Sequence, residues 1–357
     1  MNTVMLIGMG FRNLIEKLPP SAFSFTMSTG IISISAIIHN ASFASEILFY
    51  IGLSGILLLG FLLALKFILK PHNLGKSLFS NEGIFGFFTI SAGIDVMSTR
   101  LMVSDFHQYD YVFFIFSMAL MFLFLIVFMT LAIKRVVSIE SRSVTSDWLN
   151  IPVALEASAI SASVYYQGIS YAPPFIYVTI LSLVITGLLF YVFININETR
   201  NLMRSGTERE FSGLFFINMG AAAIFSLASF ELLNVSSPFG TQDIQTLLSL
   251  FSLAGGLYAT IWLPVVFIRF FVAVFRTREI RYRVSQWAII FPLGMYSVTS
   301  HYLSEKYMFH GLFDILSYTA FFLALSAWII ECAIALNGIS GLSEKMEKDN
   351  SRNEEIL

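Results

Sequence analysis

Ten apolar stretches, each roughly 20 residues long, constrain this chain more than any other feature of its sequence. A helix of about 20 residues crosses the hydrocarbon core of a bilayer, which is about 30 Å thick. Because 56% of the residues are hydrophobic and only 12% are charged, a water-soluble fold could not bury the apolar surface. The sequence therefore predicts an all-α membrane protein with ten transmembrane helices. They lie near 20–40, 45–69, 83–103, 111–133, 149–170, 173–194, 211–233, 244–275, 284–304 and 311–339.

The basic residues predict the orientation of these helices. All but two of the 21 Lys and Arg lie at the two chain ends, in the loops after the even-numbered stretches or at the adjoining helix ends. The other side of the predicted membrane has only Arg100 and Lys306. Loops rich in Lys and Arg stay in the cytoplasm. We therefore predict that both termini are cytoplasmic, and we assign the protein to the plasma (inner) membrane.

Odd-numbered and even-numbered stretches differ in composition. The odd ones begin at similar intervals, near 20, 83, 149, 211 and 285, and they are rich in Ser, Thr, Ala and Gly. The even ones consist mainly of large apolar residues, which suit a lipid-facing helix. Small and hydroxylated residues suit either close helix packing alone or a water-filled path. We predict five helical hairpins around a central pore, with inner odd helices and outer even helices.

This pattern divides the chain into three parts. Residues 1–19 form a cytoplasmic N-terminal segment, and residues 20–340 form the ten-helix transmembrane pore domain. Residues 341–357 form a charged cytoplasmic tail, which we expect to be disordered.

The sequence lacks the motifs expected of disulfide-bonded, metal-binding and nucleotide-binding proteins. Cys332 is the one cysteine, so one chain can form neither a disulfide nor a cysteine metal site. The five His have no paired ligand spacing, and no glycine-rich phosphate loop is present. We predict no metal, no cofactor, no nucleic-acid partner and no enzymatic activity. An intramembrane enzyme is the least favoured alternative, because no His/Asp/Glu cluster lies on facing stretches.

Three carboxylates and three prolines on the predicted helices could have special roles. Asp95, Glu156 and Glu231 lie on odd stretches, where an acid is costly and is a functional candidate. Each could pair with hydroxyl groups, or Asp95 with Arg100, or one of them could bind a proton as an anion moves. Pro152 and Pro292, the latter followed by Gly294, could kink inner helices, whereas Pro264 lies on an outer helix and is interpreted as structural.

Five segments together resemble the tellurite-resistance/dicarboxylate transporter family. Residues 20–30, PSAFSFTMSTG, are similar to the family pattern P-x-x-F-x-x-x-M-G-T-G, with Ser28 at a usual Gly. The other four segments are WLNIPV at 148–153, INMGAAAI at 217–224, IWLPV at 261–265 and WAIIFPLGMY at 287–296. The family includes bacterial tellurite-resistance permeases, malate and sulfite transporters, and plant slow anion channels.

The resemblance implies an architecture and a function. It implies five hairpins around a pore, a homotrimer with one pore per subunit, and a pore plugged by Phe291. We predict an anion channel or facilitative transporter for chloride, nitrate, sulfite or C4-dicarboxylates such as malate. The alternative is a proton-coupled dicarboxylate or sulfite carrier that uses a buried carboxylate. The candidates for lining the pore are Phe25, Ser28, Thr29, Phe88, Ser91, Ser158, Asn218 and Phe225.

Overall fold

The computed structural model has ten long helices and no strand in the part of the chain that it describes. This part comprises residues 15–16, 18–81, 83–104, 107–134, 136–137, 144–167, 172–205, 215–236, 239, 241–277, 286–307 and 310–354. The helices are α1 (Ser24–Ile38), α2 (Ser42–Leu69), α3 (Ile84–Met102), α4 (His107–Ile133), α5 (Asn150–Gln167), α6 (Pro174–Ser205), α7 (Phe215–Leu233), α8 (Gln242–Thr277), α9 (Trp287–Lys306) and α10 (His310–Glu354). Short 3₁₀ turns at Pro20–Phe23 and Ser146–Leu149 precede α1 and α5, and a short helix, Pro71–Leu78, follows α2.

The all-helical prediction is confirmed for the described residues. Each predicted apolar stretch contains one long helix, and most helix ends lie within a few residues of the predicted ends. Among the described residues, eight helices are long and apolar enough to cross a membrane. The other two, α5 and α9, contain more polar residues. Glu156 and Gln167 lie on α5, and His301 and Glu305 lie on α9.

The odd-numbered helices contact one another in a closed series. Helix α1 packs against α3 and α9, and the contacts continue from α3 to α5, from α5 to α7 and from α7 to α9. Each even-numbered helix packs against the odd helix that precedes it. The odd-numbered helices are therefore more deeply buried than the even-numbered ones. In the most apolar 18-residue window of each helix, 94% of the α3 residues and 89% of the α7 residues are buried, against 28% for α2 and α4.

Glycines allow α9 to approach its two neighbours in this ring. A Cβ atom on Gly220 of α7 would lie 2.8 Å from Cβ and Cγ of Pro292 on α9. On the other side of α9, a Cβ atom on Gly294 would lie 2.8 Å from Cγ2 of Ile31 on α1. Real side chains do not tolerate such distances, so these two positions need glycine for the helices to pack this closely.

Helix α10 extends beyond the predicted membrane segment. It continues to Glu354 and so includes most of residues 341–357, for which we predicted disorder from the charged composition. Residues with good helix propensity, such as Glu, Lys and Met, account for much of this extension. Glu344 and Lys348 are also spaced four residues apart, which supports a helix.

The N-terminal segment is attached to α2 by two lysines. Lys70 Nζ lies 2.6 Å from Glu16 Oε1, and Lys66 Nζ donates a hydrogen bond to the Leu18 carbonyl oxygen at 2.7 Å. Several other basic residues behind the orientation prediction lie outside the described residues. They are Arg12, Lys17, Arg135, Arg142, Arg209, Arg278, Arg281 and Arg283.

We expect Gly220→Ala to destabilise the fold, because the new methyl group would overlap Pro292. Overpacking of this kind costs about 1–3 kcal/mol. Gly60→Ala is the matched control, since no atom lies within 4 Å of a Cβ at Gly60 on α2. Thermal unfolding in detergent should show a lower midpoint for Gly220→Ala and an unchanged or higher midpoint for Gly60→Ala. Equal midpoints would show that the contact with Pro292 can relax without cost.

Candidate functional site

A cavity of about 150 Å³ lies on the axis of the ring formed by the odd-numbered helices. Every one of the five helices contributes to its wall, which defines what we call the axial cavity. Val103 and Gln167 on its rim are exposed, so the cavity opens at the C-terminal ends of the odd helices. Its lining residues are Ile31, Ile34, Val96, Thr99, Val103, Ala157, Ile160, Val164, Gln167, Ile224, Leu227, Glu231, Met295, Val298 and Tyr302.

Phe291 lies one helical turn below the axial cavity. On α9 the cavity is lined by Met295, Val298 and Tyr302, whose spacing of three and four residues places them on one helix face. Four residues before Met295, the same face reaches Phe291, which is 4% exposed. The phenylalanine singled out by the sequence motif is therefore on the face of α9 that borders the axis.

The other four helices contribute smaller side chains at this level. On the other four inner helices, we count back four residues from the lowest residue that lines the cavity. On α1, α3, α5 and α7 this count reaches Met27, Ala92, Val153 and Gly220, all of them buried. Three of these four residues are small, and none has a ring. Among these five positions, Phe291 is the one with an aromatic ring.

The two predicted kink prolines occupy different positions in their helices. Pro292 lies inside α9, and the helix continues on both sides of it. Pro152 is the third residue of α5, and the 3₁₀ turn Ser146–Leu149 runs directly into this helix start. A kink at Pro152 stays a prediction.

Several predicted pore-lining residues contact outer helices. These contacts direct the side chains away from the axial cavity, and none of the eight candidates is among its lining residues. Thr29 Oγ1 accepts a hydrogen bond from Trp328 Nε1 of α10 (2.9 Å), Asn218 Oδ1 accepts one from the Tyr191 hydroxyl of α6 (2.7 Å), Phe88 packs against Phe124 of α4 and Phe225 packs against Phe251 of α8.

The remaining candidates lie between inner helices or bond their own helix. The ring of Phe25 packs edge-on against Trp287 at 4.9 Å, and Ser28 Oγ donates a hydrogen bond to the Trp287 carbonyl oxygen at 3.0 Å. Ser91 Oγ donates to the Phe88 carbonyl oxygen on its own helix. Ser158 bonds Asp95 of α3, as described next. A role for any of these residues in lining the pore stays a prediction.

Asp95 pairs with a hydroxyl group and not with Arg100. The fully buried Asp95 accepts a hydrogen bond at Oδ2 from Ser158 Oγ of α5, at 2.6 Å. Arg100 points elsewhere. Its Nε donates to Ser33 Oγ of α1 at 2.8 Å, and its Nη2 donates to Ser45 Oγ of α2 at 3.2 Å. Of the two structural partners that the sequence suggested for Asp95, the structure shows the hydroxyl.

The other two acids differ in the direction they face. Glu156 points from α5 toward α6, where a Cβ atom on Gly187 would collide with its carboxylate. Neither carboxylate oxygen of Glu156 has a hydrogen-bond partner among the described residues. Glu231 lines the axial cavity, and its Oε2 accepts a hydrogen bond from Gln167 Nε2 at 2.7 Å. The sequence did not separate these cases, because all three acids lie on odd helices.

Within the described ranges, no group of three or more His, Cys, Asp or Glu is placed to hold a metal ion.

We expect Ser158→Ala to lower stability, because it removes the hydroxyl that donates to the buried Asp95 carboxylate. An unsatisfied buried acceptor costs about 1–3 kcal/mol, and more if it is charged. Ser161→Ala on the same helix is the control, since the buried Ser161 hydroxyl has no hydrogen-bond partner among the described residues. Thermal unfolding should separate the two variants. A midpoint as low for Ser161→Ala as for Ser158→Ala would contradict the role of this hydrogen bond.

One family of known proteins matches most of the chain. The family model described as voltage-dependent anion channel, SLAC1, matches residues 17–336, a range that contains all five motif segments. This match confirms the resemblance to the tellurite-resistance/dicarboxylate transporter family, which it covers. Comparison with curated protein sequences gave no significant match. Because the match extends over most of the chain, and because eight described helices can cross a bilayer, the chain is a multi-pass membrane protein that belongs to the SLAC1 family of voltage-dependent anion channels.

Proposed function

We propose that this protein is an anion channel or facilitative transporter that passes small anions through a pore in the middle of each subunit. Chloride, nitrate, sulfite and C4-dicarboxylates such as malate are the proposed permeants. The family supports the anion class. The observation that carries the proposal is the axial cavity, which all five odd-numbered helices line and which ends one turn above Phe291.

The proposed architecture has ten membrane spans in five hairpins, over residues 20–340. It adds α5 and α9 to the eight apolar helices, because inside the ring their polar residues would not face lipid. The position of the basic residues supports cytoplasmic termini and insertion in the plasma (inner) membrane. A homotrimer, with one pore in each subunit, completes the proposal.

Phe291 acts as the gate in this proposal. Phe291 lies on the α9 face that borders the axis, and the same step on the other four helices reaches Met27, Ala92, Val153 and Gly220. A ring in a narrow apolar passage blocks ions sterically and excludes water. None of the described residues that line the axial cavity is Lys or Arg. Anions are therefore held weakly along this part of the path, which suits conduction because a permeant ion must also leave.

We expect Phe291→Ala to raise anion flux through liposomes that contain the purified protein. Removal of the ring opens the passage, and a barrier lowered by about 1.4 kcal/mol raises a rate about tenfold. Phe128→Ala is the control, because this buried ring on α4 packs against Phe85 and Trp148, away from the axis. The control should leave the flux per folded protein unchanged. The gate assignment is wrong if Phe291→Ala conducts no better than the wild type.

A second candidate function is proton-coupled transport. The burial of Asp95 and Glu156 favours it, because buried acids can exchange protons during a transport cycle. We weight this function below a channel, since Asp95 already has a structural partner in Ser158.

We expect anion flux to follow the anion gradient alone, with or without a pH gradient, and to persist in Asp95→Asn. The amide retains an acceptor for the Ser158 hydroxyl, so the variant should fold. The measurement is flux in liposomes at a fixed anion gradient, with the pH gradient set to zero or to either sign. Strict dependence on the pH gradient in the wild type, lost in Asp95→Asn, would favour the carrier instead.

A further inference from the structure

We propose that the carboxylate of Glu231 sets the charge selectivity of the pore, admitting monovalent anions and opposing divalent ones. Among the permeants proposed above, it would favour chloride and nitrate over the dianions of sulfite and malate. The inference rests on the proposed function, because it assumes that anions pass along the axial cavity. It assigns a role to a residue that the gate does not use.

Glu231 lies in the wall of the axial cavity, beside the proposed path of the anion. Among the described residues that line the axial cavity, Glu231 is the only Asp, Glu, Lys, Arg or His. Its side chain is 6% exposed, so it lies inside the ring and not on the surface around it. An anion on the axis must pass this carboxylate on its way to or from Phe291.

The carboxylate is held in place by its neighbour on α5. Gln167 Nε2 donates one hydrogen bond to Glu231 Oε2 at 2.7 Å and lies 2.9 Å from the Glu231 carbonyl oxygen. Both partners belong to the wall of the axial cavity. The fixed position of the carboxylate keeps its charge at a constant distance from the path.

The charged and titratable groups around Glu231 leave its charge without an ion pair. On α9, Tyr302 lines the same cavity, and Glu305 and Lys306 follow on that helix. Lys306 Nζ lies over the ring of Phe230, 5.2 Å from the centroid. No Lys or Arg in the described part of the chain forms an ion pair with Glu231. Gln167, the group that faces it from α5, is neutral.

The charge of the permeant ion decides how strongly this carboxylate acts. The interaction of a fixed charge with a passing ion is proportional to the charge of that ion. It is also stronger in a narrow cavity with apolar walls than in open water. If the carboxylate slows a monovalent anion by a factor n, it slows a divalent anion of similar size by about n squared. A purely structural role, in which Glu231 only joins α7 to α5 through Gln167, predicts no such dependence on charge.

The test uses Glu231→Gln in the Phe291→Ala background, where the gate does not limit the flux. Efflux of chloride and of sulfate is measured from liposomes at the same ionic strength and at an alkaline pH, which keeps the buried carboxyl group ionised. Glutamine keeps an acceptor for Gln167 and has nearly the same shape, so the helix contact is retained. We expect chloride efflux to rise several-fold, and sulfate efflux to rise by about the square of that factor. Both gains should shrink at high salt, because mobile ions screen the carboxylate.

Two further variants separate charge on the axis from charge elsewhere. Glu305→Gln removes one negative charge from the same end of α9, but this side chain is 59% exposed and does not line the cavity. It should leave the ratio of sulfate to chloride efflux unchanged, since water screens an exposed charge. Glu231→Asp keeps the charge inside the cavity and should keep the low ratio.

The inference is overturned if Glu231→Gln leaves the ratio of sulfate to chloride efflux unchanged or lowers it, or if Glu305→Gln raises the ratio equally. This failure can be told from a failure of the proposed function. Absence of any anion efflux from Phe291→Ala itself would overturn the proposed function, and this inference with it. Efflux from Phe291→Ala with a ratio that does not respond to Glu231→Gln would overturn only the selectivity role.

Discussion

The architecture depends on the close approach of the odd-numbered helices, and above all on the two sides of α9. Gly220 admits Pro292, and Gly294 admits Ile31, at distances that leave no space for a methyl group. These contacts bring α9 close to α7 on one side and to α1 on the other. They also fix the rotation of α9, and with it the direction of Phe291. In the proposed pore, packing at these two glycines would therefore set the position of the gate.

The ring lets polar residues persist in a chain whose outer surface is apolar. Outer helices expose large apolar residues such as Phe61, Ile126 and Ile261. Buried hydroxyl groups bond the ionisable side chains of the inner helices, as Ser158 does for Asp95 and Ser33 does for Arg100. Because the outer helices occupy the lipid contact, α5 and α9 need not be strongly hydrophobic. Their polarity is what keeps them below the hydropathy expected of an isolated membrane span.

Sequence reasoning located the helices well, and it located the site only in part. Apolar length marked each helix, whereas the extension of α10 to Glu354 depended on helix propensity outside the apolar stretch. The family resemblance at 287–296 pointed to Phe291, but it could not predict the direction in which the ring faces. The rotation of each helix decides which acid lines the axial cavity, and the sequence does not show this rotation. Asp95, Glu156 and Glu231 all lie on helices that are buried on nearly every side, so no amphipathic pattern distinguishes the inward face. Only the packed helices reveal that Glu231 lines the cavity while Glu156 faces α6.

The axial cavity opens at one end of the ring and stops just above Phe291. A cavity continuous with the outer solution is near the electrical potential of that solution. The voltage across the membrane would then fall mainly over the short, closed section around the phenylalanine, instead of evenly over the whole bilayer. Each elementary charge that crosses this section exchanges about 2.3 kcal/mol with a potential of 100 mV. In the proposed pore, the cavity would therefore concentrate the driving force on an ion at Phe291.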